Sequence, residues 1–179
     1  MARGALHRLW QSWNGDFNFD KWFRVRARFQ RTKNPVAKLW YRHYLMKMNN
    51  RYNAFIPPTL VIPRSVVFPH GISGIFLSVG CVIGENCVIF QQVTLGSNTL
   101  EGSKRTGSPV LEDNVFIGAG ARVIGGVTLG RGCRVAAGCA LSQDVPPGAT
   151  ALPGKAVIRP GDPERDNSFR TPAAAFAEE

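Results

Sequence analysis

The chain has 179 residues, with 19 glycines, 12 prolines and a formal net charge of +10. That length suits one core domain with appendages, and the glycine and proline content favours a turn-rich β fold over a helical bundle. No run of 18 apolar residues argues for a transmembrane helix, and the N-terminus lacks the apolar stretch of a secretory signal, so a cytoplasmic protein is expected.

The positive charge is confined to one end. Residues 1–53 hold 12 Lys or Arg against Asp16 and Asp20, whereas residues 54–179 hold ten of each sign. All four Trp and all three Tyr also precede residue 54. The sequence therefore divides into a basic, aromatic-rich helical segment (1–55), a core (56–159) and a flexible tail (160–179). Within the first segment, Phe23 to Phe29 alternate as a strand would, but Asp20 as an N-cap favours a helix. Asn34 and Pro35 then read as N-cap and first helical residue, with Val36, Leu39, Trp40, Tyr44 and Met48 at helical spacing and Asn49-Asn50 as the stop. Three roles fit this segment: a cap over the open end of the core, attachment to an anionic membrane surface, or nucleic-acid binding. The cap is favoured, and nucleic acid ranks last because no motif for it is present.

From residue 77 the sequence repeats every six residues. Leu77, Ile83, Ile89 and Leu95, then Leu111, Ile117, Val123, Leu129, Val135 and Leu141 form one aliphatic column. Two residues before each stands a second, mostly small column that includes Cys81, Cys87, Val93, Val115, Ala121, Val127, Cys133 and Cys139. Residues two apart on a strand face the same way, so each short strand sends both inward. Periods of six and two exclude a helix and predict an all-β parallel solenoid in which each coil is covered by its neighbours. The 16-residue step from Leu95 to Leu111 inserts a loop over 97–109. The four cysteines all occupy the small column, and none has metal-site or redox spacing. They are expected to be reduced, buried and free of metal.

Four stretches carry a family resemblance: Phe68-Pro69-His70-Gly71-Ile72-Ser73-Gly74, CVIGENCVIFQQVTLG, NVFIGAGARVIGGVTLG and RVAAGCALSQDVPPGATALPGKAVI. They resemble the hexapeptide-repeat acyltransferases, in particular the serine acetyltransferase-like branch, which includes enzymes of surface-polysaccharide gene sets. The resemblance implies a left-handed β-helix, a homotrimer and acetyl-CoA held between subunits as co-substrate. It implies coenzyme contacts at Gly118, Ala119, Gly120, Ala121, Ala136, Ala137 and Gly138, with Lys155 and Arg159 near the coenzyme's phosphates. It also places His70 on the catalytic histidine, the general base that takes the acceptor's hydroxyl proton.

Two positions depart from the serine enzymes. Pro69 stands where an aspartate usually precedes the catalytic histidine, and Ser108-Pro109 stands where a second histidine precedes proline. Gln91, Gln92, Asn98, Lys104, Arg105 and Ser108 are the candidate acceptor contacts, on or near the inserted loop. These departures, with the basic N-terminal segment, lead to the expectation that acetyl is transferred to a hydroxyl of a sugar or surface-polysaccharide precursor, at the inner face of a membrane. L-serine O-acetylation is the second reading, and a non-catalytic β-helix scaffold the third.

Overall fold

The structure, a computed structural model, describes residues 17–154. Two helices lead into eleven short strands: α1 (Phe19–Arg31), α2 (Pro35–Arg51), β1 (Phe76–Leu77), β2 (Val82–Ile83), β3 (Val88–Ile89), β4 (Thr94–Gly96), β5 (Val110–Leu111), β6 (Phe116–Ile117), β7 (Arg122–Ile124), β8 (Thr128–Leu129), β9 (Arg134–Val135), β10 (Ala140–Leu141) and β11 (Thr150–Ala151). The strands stack in parallel as three sheets, β1-β4-β7-β10, β2-β5-β8 and β3-β6-β9-β11. Chain order visits the three sheets in turn, which makes a three-sided coil, and the whole is a left-handed parallel β-helix.

The registers follow the repeat. Leu77 pairs with Leu95 and Leu95 with Val123; Ile83 pairs with Leu111 and Ile89 with Ile117. From Leu77 to Val135, every aliphatic position is buried. Each such side chain removed from water contributes about 1.5–3 kcal/mol. The small column is equally dry, and Cys81, Cys87, Cys133 and Cys139 are buried free thiols. A larger residue there would collide with the opposite faces. Glycine recurs where successive coils touch: a Cβ on Gly118 would lie 2.6 Å from the Ala137 nitrogen, inside van der Waals contact.

The first segment is helical from Phe19 to Arg31, and its cap is Asn18 rather than Asp20. The Asn18 side chain accepts from the Lys21 N–H at 2.8 Å, and Asp20 lies in the first turn. Asn34 caps α2 through Val36 and Ala37, as expected, and the helix runs to Arg51, just past the asparagine pair. Its packing face differs from the apolar stripe. Leu45 and Asn49 are buried, whereas Val36, Leu39 and Trp40 are 60–76% exposed. Asn49 is held inside because its Nδ2 donates to the Ile56 carbonyl at 3.1 Å.

Residues 54–68 form a partial leading coil. Phe55 bridges to Phe76, and Val67 to Val88. Trp22 and Phe19 of α1 pack on Phe68, with ring centroids 6.2 and 6.1 Å away. One continuous apolar cluster runs from Phe17 to Val145, so the break in composition near residue 54 is not a break in packing.

Candidate active site

His70 lies in the turn that carries the chain from the face of β3 towards the face of β1. The turn is fixed by the Gly71 N–H donating to the Phe68 carbonyl at 3.1 Å, with Gly71 at φ 72°. Phe68 is wholly buried, while His70 is exposed. The same corner recurs one coil later at Phe90-Gln91-Gln92, then at Gly118-Ala119-Gly120 and Ala136-Ala137-Gly138. Cross-coil bonds tie these turns together. The Gly120 N–H donates to the Gln91 carbonyl at 3.0 Å, and the Gly138 N–H to the Ala119 carbonyl at 2.8 Å. The residues implied to touch coenzyme thus form one ladder down the corner that begins at His70.

Ala121 is the exception. Its methyl faces the core at 0% exposure, and its N–H is bonded to the Gly118 carbonyl at 3.2 Å. The ladder has binding capacity to spare. Among the described residues, no carbonyl accepts the N–H groups of Gln91, Ala119 or Ala137. The Gln91 side-chain oxygen is buried and has no partner among the described residues. Gln92 is exposed at φ 61° and packs beside Gly74. A slender amide-bearing arm fits such an edge, because unpaired amide N–H groups would meet its carbonyls. Lys155 and Arg159, with the tail, lie outside the described residues.

The imidazole of His70 touches the Phe90 ring, with centroids 5.7 Å apart. Among the described residues, no carboxylate or carbonyl is bonded to it. Pro69 offers neither a carboxylate nor an N–H.

The inserted loop occupies a different corner of the coil, between the faces of β4 and β5. It is closed by an antiparallel bridge in which Asn98 and Gly107 exchange N–H···O bonds of 2.8 and 2.9 Å. Asn98 is spent on the loop itself, since its side chain accepts from Leu100 N–H and donates to Ser103. The Ser108 hydroxyl is 2.7 Å from that of Ser97. Arg105 pairs with Asp144 at 2.7 Å, and Asp144 also accepts from the Thr128 N–H at 2.8 Å. That backbone bond first, and then Arg105, hold the Asp144 carboxyl below its ordinary range. Lys104 is exposed. Within one chain, Asn98, Lys104, Arg105 and Ser108 are therefore not brought to His70. The sequence pattern gave no hint of Phe90, whose contact with His70 depends on coil stacking.

Among the described residues, no cluster of His, Cys, Asp or Glu could hold a metal, and no helix is long and apolar enough to cross a membrane.

Residues 108–143 match the bacterial transferase hexapeptide (six repeats) family. A serine acetyltransferase of Bacillus licheniformis is 39% identical over 108 residues, 59% of this chain and 49% of that protein. A serine acetyltransferase of Bacillus pumilus is 34% identical over 136 residues, 70% of this chain and 61% of that protein. The structure of soybean serine acetyltransferase complexed with serine aligns with a TM-score of 0.57 at 31% identity, over 79% of this chain and 52% of that one. The chain spans about half the length of the first of these relatives. The expectation of a sugar or polysaccharide acceptor is corrected by these relatives, which are named for serine. That expectation rested on the basic N-terminal segment and two single side chains, Pro69 and Ser108, whereas the likeness to these relatives extends over 108 and 136 residues.

Proposed function

We propose that this chain, a hexapeptide-repeat protein of the serine acetyltransferase-like branch, is an acetyl-CoA-dependent O-acetyltransferase that acetylates the hydroxyl of L-serine. The observation that carries this reading is the corner ladder: one exposed histidine above a column of unpaired backbone N–H groups, in coils related to serine acetyltransferases. Acetyl-CoA supplies an activated thioester, so neither a metal nor a covalent enzyme intermediate is needed.

The neutral imidazole of His70 takes the proton from the serine hydroxyl as its oxygen bonds to the thioester carbon. Backbone N–H groups stabilise the resulting oxyanion. Collapse breaks the carbon–sulfur bond, and the imidazolium returns the proton to the departing sulfur. The products are O-acetyl-L-serine and coenzyme A. Gln91, Ala119 and Ala137 line the arm of the coenzyme, and Gly118, Gly120 and Gly138 let it approach the backbone.

The loop corner and the His70 corner are separate within one chain. A homotrimer with its coils side by side supports a complete site, in which Asn98, Lys104, Arg105 and Ser108 of one subunit face His70 of the next. The test is release of free thiol from acetyl-CoA with L-serine, compared with sugar alcohols and with no acceptor. Turnover that requires L-serine supports the reading. Coenzyme binding without transfer to any amino-acid hydroxyl would overturn it.

A further inference from the structure

The longest stretch of one-signed charge in the sequence runs through the two helices and extends to Arg64. Between Asp20 and Glu85 there are eleven Lys or Arg and no acidic residue. Arg24, Arg28 and Arg31 fall at i, i+4 and i+7 on α1, opposite the face that buries Trp22, Val25 and Phe29. With Arg64 from the partial coil, and Tyr41 of α2 on the rim, they line a cavity of about 570 Å³. Arg64 is paired with Asp20 at 3.0 Å, but among the described residues Arg28 and Arg31 have no acidic partner.

A second observation lies beside the first. Arg26 is buried on α1, where its Nη2 donates to the carbonyls of Pro57 and Leu60 and its guanidinium covers the Trp22 ring at 4.7 Å. Its Nη1 is buried with no acceptor among the described residues. Among the described residues no carboxylate pairs with it, and burial lowers its pKa to about 10. Arg26 also lines a smaller crevice of about 80 Å³ with Gln30 and Arg64. Arg64 and Ala27 border both spaces, so the crevice and the larger cavity adjoin.

Arg26, a buried guanidinium with an unused donor, borders this cavity through the crevice it shares with Arg64, and like charges crowded on both sides of Arg64 are unfavourable unless an anion offsets them. Guanidinium forks match the oxygens of a phosphoryl group, and several of them can share a multiply charged ligand. We propose that the cavity between α1 and Arg64 is a binding site for phosphoryl groups, separate from the acetyl-transfer corner. The group would come either from a soluble polyphosphate or from the headgroup of an anionic lipid.

The experiment titrates the full-length protein with inorganic pyrophosphate by calorimetry, and separately sediments it with vesicles of phosphatidylcholine containing phosphatidylglycerol. The Arg28→Gln/Arg31→Gln variant substitutes exposed positions with a helix-compatible residue, and circular dichroism checks its fold. Binding to either probe that falls at least about tenfold in this variant supports the site. The Lys38→Gln/Lys47→Gln variant removes the same charge elsewhere on the helices and should bind within about twofold of the parent. Pyrophosphate binding alone identifies a soluble ligand, and vesicle binding alone identifies a lipid headgroup. The site is overturned if neither probe binds, or if both double variants weaken binding equally.

Discussion

The imidazole of His70 rests against the ring of Phe90, one coil below, with centroids 5.7 Å apart and planes tilted by 58°. Phe90 in turn meets Phe116, a further coil down, at 5.2 Å. Pro69 leaves His70 without the preceding aspartate that the family resemblance implies, and the contact that the imidazole makes is with the first of these two tilted rings. Phe90→Ala should remove two ring contacts and cost about 1–3 kcal/mol of stability in urea denaturation. If His70 is the base proposed above, the variant should also lower kcat several-fold while leaving the KM for acetyl-CoA near its original value, because the ring touches His70. A change in KM alone would show that Phe90 serves the ladder instead.

His70→Ala should leave the fold intact, since the side chain is exposed and makes no hydrogen bond among the described residues. Loss of a general base predicts a fall in kcat of about 10²–10⁴ in the thiol-release assay with L-serine. Coenzyme A affinity, measured by calorimetry, should be unchanged. Near wild-type transfer by this variant would falsify the assignment of His70.

Two glycines of the ladder should respond differently to substitution. Gly118→Ala would force a Cβ to within 2.6 Å of the Ala137 backbone nitrogen, which predicts a loss of about 1–3 kcal/mol and weaker coenzyme binding. Gly120 has open space around its Cβ position but a φ of 68°. Asparagine adopts that conformation at Asn86 and Asn114, with φ 57° and 59°. Gly120→Asn should therefore change the melting temperature far less than Gly118→Ala.

The loop anchor should fail in acid. Asp144 is held below its ordinary value of 3.8 by the Thr128 N–H and then by Arg105. A depressed folded-state pKa means the contact is present above the unfolded value and is lost as pH falls through the folded one. The Thr128 amide resonance should therefore titrate with a midpoint below 3.8, and Asp144→Asn should abolish that titration. A midpoint at or above the ordinary value would show that the anchor is not formed.

The thiols predict a change at the alkaline end. Burial raises the pKa of Cys81, Cys87 and Cys133 above the ordinary value of 9.0. A raised folded-state pKa gives stability that is full below the unfolded value and is lost as pH rises through the folded one. The urea midpoint should decline above pH 9, less so in Cys87→Ala corrected for its own baseline. At neutral pH a thiol reagent should react slowly with the native protein and with all four cysteines after unfolding.

The sequence alone determined the coil. Its inward columns recur every six residues, and any chain that buries Leu77, Leu95 and Val123 above one another must wind in parallel. The same pattern placed the four cysteines inside, whereas His70 was nominated by the family resemblance and not by the period. Local signals were less exact at the start of α1, where the cap is Asn18 and not the expected Asp20. The helical spacing of Val36, Leu39 and Trp40 suggested a packing face, but tertiary contacts turned Leu45 and Asn49 inward.

Only the tertiary structure decided which residues share a corner. His70, Gln91, Ala119 and Ala137 are separated by up to 67 positions yet lie in successive turns of one edge, while Ser108 and Arg105 lie on another. Coil register sets that proximity, and register depends on the length of the inserted loop and the stacking of whole turns. The same cause hid Phe90 as the neighbour of His70, and Arg26 as a buried charge with an unused donor.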